Sequence, residues 1–152
     1  MFNPLPIALS VHLLSVIVWV GGMFFAHQAL RPAAVETLDP PQRLSLWVAT
    51  FKRFFPWVWL AVTLILVSGF WMLSLYPKAP LFMHIMMGLG IVMMLIFGHV
   101  FFAPYKKLKL AVAEKRWTDG AKSLGQIRML IGINLSLGLI TAVVAVAGKY
   151  YL

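Results

Sequence analysis

Four long apolar runs decide which solvent this chain folds in. They cover approximately residues 6–29, 54–76, 80–103 and 127–148. A helix needs roughly 20 mostly apolar residues to cross a hydrocarbon core of about 30 Å, and each run meets that length. None of the four contains Asp, Glu or Cys. Only 11% of the 152 residues are charged and the mean hydropathy is +0.91, whereas soluble domains carry about 25% charged residues. The expectation is an all-α, integral membrane four-helix bundle forming a single domain over residues 1–152. The first run lacks the basic flank and small-residue cleavage site of a secretory signal, so it reads as a permanent span.

The net charge of +9 is a topology signal and not a nucleic-acid footprint, because the cations are segregated. Arg31, Arg43, Lys52 and Arg53 lie in the loop between spans one and two. Lys106, Lys107, Lys109, Lys115, Arg116, Lys122 and Arg128 lie between spans three and four. The opposite side holds only Lys78 and Lys149. Eleven against two is a strong positive-inside bias. It predicts cytoplasmic long loops, periplasmic termini and residence in a bacterial inner membrane. Trp57, Trp59, Tyr76, Tyr105, Tyr150 and Tyr151 fall near span ends, where amphipathic rings prefer to sit.

The loops read as extensions of the spans. "YKKLKLAVAEKRW" predicts a basic amphipathic continuation past Pro104 on the inner leaflet, drawn there by anionic lipid. Thr118 or Asp119 offers an N-cap for the fourth helix. The stretch "LDPPQRLSLWVATFKRF" predicts a helical lead-in to span two, bent or restarted near Pro56.

All four histidines bound two of the spans. "HLLSVIVWVGGMFFAH" runs from His12 to His27 and "HIMMGLGIVMMLIFGH" from His84 to His99, with the same spacing of fifteen. Spans one and three run in the same direction. His12 and His84 therefore belong near one surface, His27 and His99 near the other. The spacing separates the two rings of a helix by roughly 22 Å along the axis and about 60° in direction. Ionisable groups inside a membrane need a partner and are functional candidates for that reason.

Neutral imidazole is a ligand for iron, copper, zinc and nickel. Two histidines leave a bare zinc or nickel ion short of ligands, whereas haem iron asks the protein for only two. The expectation is two haems b per chain, His12 with His84 and His27 with His99 as axial ligands. Gly21, Gly22, Gly88, Gly90 and Gly98 would give the macrocycles room. Arg31, Arg53, Arg128 and Lys106 on one side, and Lys78 and Lys149 on the other, are cations for the propionates. The arrangement resembles the di-haem cytochrome b design, which implies electron transfer across the bilayer and exchange with a quinone, a small oxidant or a periplasmic redox protein. An oxidoreductase activity stays open.

A second resemblance spans nearly the whole chain. "HLLSVIVWVGGMFF", "HIMMGLGIVMMLIFGHVFFAPYKKL" and "IRMLIGINLSLGLITAVVAV" are similar to the membrane domain of the CopD (copper resistance protein D) family. That resemblance implies a bacterial inner-membrane protein concerned with copper uptake or resistance, and a periplasmic copper protein as partner. A more distant likeness is to the four-helix membrane protoporphyrinogen oxidases, which are linked to haem b. The copper alternative has its own residues. Met83, Met86 and Met87 surround His84, and thioethers with imidazole suit Cu(I). The alternative copper site is His84, Met83, Met87 and His12. Most of the nine methionines, including Met93 and Met94, read as packing. Asn134 reads as an interhelical hydrogen bond, or as the orienter of a ligand. Trp19 reads as core. A purely structural subunit, with histidines joining helices, is the third possibility.

Overall fold

The computed structural model describes residues 3–152, and every regular element in it is helical. Helix α1 (Leu5–Phe25) passes through a π-helical turn (Ala26–Leu30) into α2 (Arg31–Thr37). Helix α3 (Pro40–Ser74) returns, followed by α4 (Leu81–Phe102) with α5 (Pro104–Ala113) beyond it, and α6 (Trp117–Tyr151). The four resulting rods have 33, 35, 33 and 35 residues. At 1.5 Å per residue each is about 50 Å long, so each outruns the hydrocarbon layer. The apolar runs marked only the lipid-immersed part of longer helices. Length and apolarity make the chain a multi-pass membrane protein.

Two antiparallel pairs build the bundle. Helix α1 packs chiefly on α3, and α4 on α6, while α3 and α6 also touch and α1 and α4 stand diagonally apart. His12 near the start of α1 meets Ser68 near the end of α3. Phe82 at the start of α4 meets Gly148 at the end of α6. Leu44 and Gly120 meet at the opposite end. One end therefore holds both termini and the α3–α4 turn. We call it the terminal end, and the other the basic end.

Helix–helix association in lipid depends on close van der Waals approach, because lipid is as apolar as leucine. A Cβ on Gly138 of α6 would lie 2.9 Å from Val20 Cγ2 and 3.1 Å from Met93 Cε, so α6 wedges against both α1 and α4. Gly22 is occupied by the Phe54 ring. The space expected there for a cofactor is used for packing. A run of aromatic contacts ties α3 to α4 and α5. Phe51 stacks on Phe55 (centroids 4.9 Å), Phe55 meets Tyr105 edge-on at 4.8 Å, and Phe55 meets Phe97 at 5.4 Å. Such pairs are worth about 0.5–1.5 kcal/mol each beyond burial. The outward faces stay apolar, with Leu14, Ile17, Val67, Leu95 and Val143 all exposed. Among soluble proteins that surface would drive aggregation; in a bilayer it is the lipid contact.

Helix boundaries follow local chemistry. Pro40 opens α3 at a position where its missing N–H costs nothing, and Gln42 Oε1 accepts from the Asp39 N–H at 3.4 Å. The helix then runs unbroken through Pro56, instead of restarting there. Ala103 adopts φ −115°, ψ −85° and separates α4 from α5. The α5–α6 turn differs from the expected Thr118 or Asp119 cap. Lys115 takes a positive φ of 57°, and α6 begins at Trp117. Asp119 is committed elsewhere: with Glu114 it clamps Arg116, at 2.7 and 2.6 Å. The two carboxylates raise the already high pKa of that guanidinium by hydrogen bonding and charge.

Candidate functional site

The bundle holds two larger cavities, one towards each end. The terminal-end cavity, about 140 Å³, is walled by all four rods. His12 enters it from α1 and Met72 from α3. Met83, Met86, Met87, Met93 and Met94 enter it from α4. Six of the nine methionines of the chain line this one space. No charged residue does. The spacing of positions 83, 86, 87, 90 and 94 is the i, i+3, i+4, i+7, i+11 stripe of one helix face, with Gly90 as the gap in the thioether row.

His12 is held in a defined state. Its Nδ1 lies 2.8 Å from Ser68 Oγ, and Gly69 lets the ring sit against α3, since a Cβ there would be 3.4 Å from His12 Cε1. The Ser68 hydroxyl donates its single proton to the Leu64 carbonyl at 2.5 Å. It can therefore only accept from His12, so Nδ1 carries the ring proton. The Nε2 lone pair is left free, which is the form a metal-ligating imidazole needs.

The basic-end cavity is larger, about 240 Å³, and of opposite character. His27 lines it with Arg31, Arg43 and Arg128, over Leu44, Trp47, Phe51 and Ile127. The π turn sets this geometry. The Arg31 N–H bonds back five residues to the Ala26 carbonyl, and such single-turn insertions recur at functional sites. Across from it, Gly132 of α6 has no side chain, and a Cβ there would lie 3.1 Å from His27 Nε2. Between the two cavities a void of only about 20 Å³ is walled by Trp19, Met23, Phe55, Phe97 and Asn134. Asn134 Nδ2 donates to the Met93 carbonyl at 3.2 Å, joining α6 to α4, while its buried Oδ1 has no partner. Trp19 is core, edge-on to Phe97 at 6.3 Å.

The four histidines thus fall into two kinds. His12 and His27 face cavities. His84 is exposed, with Nδ1 3.1 Å from the Pro80 carbonyl, and does not line the terminal-end cavity. His99 is exposed and does not line the basic-end cavity. His84 follows Met83 by one residue and so points about 100° away from the methionine stripe. Of the copper set expected from sequence, His12, Met83 and Met87 come together and His84 does not. Sequence reasoning missed Met72, Met93, Met94 and Ser68. The helical stripe was a signal for Met94, but nothing local marked Met72 or Ser68, which α3 delivers from a distant part of the chain. Among the described residues there is no cluster of three His, Cys, Asp or Glu side chains, so any metal here relies on thioether and imidazole.

No curated protein and no solved structure matches the chain. The family model described as Copper resistance protein D matches residues 48–148, which takes in most of α3 and all of α4 and α5, and α6 up to Gly148. It stops short of α1, so His12 lies outside the matched segment while the methionines facing it lie inside. With about two thirds of its length matched, this chain belongs to the CopD (copper resistance protein D) family.

Proposed function

We propose that the protein handles copper in the membrane and takes Cu(I) as its cargo in the terminal-end cavity. The observation that carries this reading is the convergence of one imidazole and six thioethers on a single uncharged space. Soft sulfur ligands with a neutral imidazole select Cu(I) over zinc, nickel and the hard cations. The free Nε2 of His12 is the nitrogen donor. Met83, Met86 and Met87 lie in the first turns of α4, as His12 lies in the early turns of α1, and Met93 and Met94 continue the sulfur lining further along α4. Ser68 positions the ring. Membership of the copper resistance family points the same way.

Sidedness follows from charge. The positive-inside bias puts the terminal end, and with it the copper cavity, on the periplasmic side of a bacterial inner membrane. A Cu(I) carrier on that side is the partner this reading calls for. The basic-end cavity is unsuited to a cation, because three arginines line it and no acidic residue does. The reading therefore assigns it no copper.

Paired haems draw less support. The partners expected for His12 and His27 face away from them, and cavities of 140 and 240 Å³ fall below the roughly 300–1,000 Å³ that drug-sized ligands occupy. The test is a Cu(I) competition titration against a chromogenic chelator, using detergent-purified protein. Wild type is expected to withdraw about one Cu(I) per chain. His12→Ala and Met83→Leu/Met87→Leu should each lose at least tenfold in affinity, and His99→Ala none. Unchanged affinity in the first two variants would overturn the assignment.

A further inference from the structure

The basic-end cavity gathers cations of one kind. The chain has five arginines and eight lysines. Three of the arginines, Arg31, Arg43 and Arg128, line this cavity, and no lysine does. They come from α2, α3 and α6, so folding alone brings them together. The other two arginines are already engaged. Arg116 is clamped by Glu114 and Asp119, and Arg53 Nη1 donates to the Ala49 carbonyl at 3.1 Å. Among the described residues, the side chains of Arg31, Arg43 and Arg128 have neither a carboxylate nor a carbonyl partner, and no acidic residue lines the cavity. The positive-inside rule accounts for cations at this end of the bundle. It does not account for the selection of arginine over lysine, nor for its convergence on one hollow.

Guanidinium forks bind phosphate bidentately, which an ammonium cannot do. His27, fixed by the π turn against Gly132, adds a further polar group at the cavity wall. Beneath them the lining turns apolar, with Trp47 and Phe51 buried. A charged rim over an apolar floor, near the membrane boundary, fits an amphiphile with an anionic head. We propose that the basic-end cavity binds a phosphate group, presented by an anionic phospholipid whose head lies against Arg31, Arg43 and Arg128. Basic pockets between membrane helices on the cytoplasmic side take such heads.

The experiment is native mass spectrometry of the full chain in detergent, titrated with phosphatidylglycerol, cardiolipin, phosphatidylcholine or inorganic phosphate. The variants are Arg31→Gln/Arg43→Gln/Arg128→Gln, the same three positions changed to Lys, and a control, Lys52→Gln/Lys78→Gln/Lys149→Gln. The control removes equal charge from exposed positions outside the cavity and outside the basic helix α5. Wild type and control should bind an anionic lipid at least tenfold more tightly than phosphatidylcholine. The Gln variant should lose that preference, and the Lys variant most of it despite unchanged net charge. Binding that inorganic phosphate saturates while lipid does not compete would keep the phosphate site and identify a soluble source. Equal losses in the control and the Gln variant, or full binding in the Gln variant, would overturn the proposal. Circular dichroism melts of each variant separate loss of binding from loss of fold, and the Lys variant decides the matter if the Gln variant fails to fold.

Discussion

Replacing Ser68 by alanine isolates the role of a group that never touches copper in this account. The hydroxyl is buried, accepts from His12 Nδ1 at 2.8 Å and donates to the Leu64 carbonyl. In Ser68→Ala the imidazole loses the contact that fixes both its tautomer and its ring plane. A single such hydrogen bond contributes about 0.5–1.5 kcal/mol net, which is about 2-fold to 13-fold in affinity. Partners that orient a metal-bound histidine typically cost 10–100-fold when removed. The two ranges overlap near tenfold, and that is the loss of Cu(I) affinity expected in the chelator competition. Ser15→Ala is the matched control, since Ser15 is as buried as Ser68 but bonds only to its own helix, at the Val11 carbonyl. Ser68→Thr keeps the hydroxyl and should stay within about threefold of wild type. Wild-type affinity in Ser68→Ala, alongside a large loss in His12→Ala, would refute the positioning argument. So would an equal loss in Ser15→Ala.

Other positions give independent checks. Met86→Leu/Met87→Leu removes two cavity thioethers and should weaken Cu(I) binding severalfold, whereas Met129→Leu, at an exposed site, should leave it unchanged; the same titration reads both. Gly138→Leu drives a branched side chain into Val20 and Met93, and overpacking of this kind costs about 1–3 kcal/mol. It should lower the thermal midpoint in detergent, while Gly125→Ala, where a Cβ meets nothing, should not. Asn134→Leu forfeits one interhelical bond but also removes the orphaned Oδ1. Bonds of that class average about 0.6 kcal/mol in membranes, so stability should move by less than about 1 kcal/mol, measured by the same melts.

The class of fold was legible because the constraint behind it is severe: a bilayer accepts only long apolar helices or closed barrels. Even so, the apolar runs under-reported the helices. Residues 40–53 and 104–113 are too polar to register as spans, and their helicity was legible only from the amphipathic patterning that predicted a lead-in to span two and a continuation past Pro104. Of the bend or restart expected near Pro56, the restart does not occur, since a helix fixed by neighbours on both sides of the proline tolerates one missing bond. The site was half legible. Matched spacing singled out the histidines, but spacing along a helix does not say which helices adjoin. Here α1 and α4 are diagonal, so the two His-bounded helices do not pack on one another. The methionines were discounted one at a time as filler. Their shared cavity is a tertiary property, created when Met72 of α3 closes over the α4 stripe. The arginine triad was dissolved into the topology signal for the same reason.

X-ray absorption of the Cu(I)-loaded full chain tests the central claim most directly, because it reads the ligand atoms themselves. The account predicts a mixed shell of thioether sulfur with imidazole nitrogen at about one copper per chain, and loss of the nitrogen component in His12→Ala. A shell without sulfur, or one that His12→Ala leaves unchanged, would contradict copper binding in the terminal-end cavity.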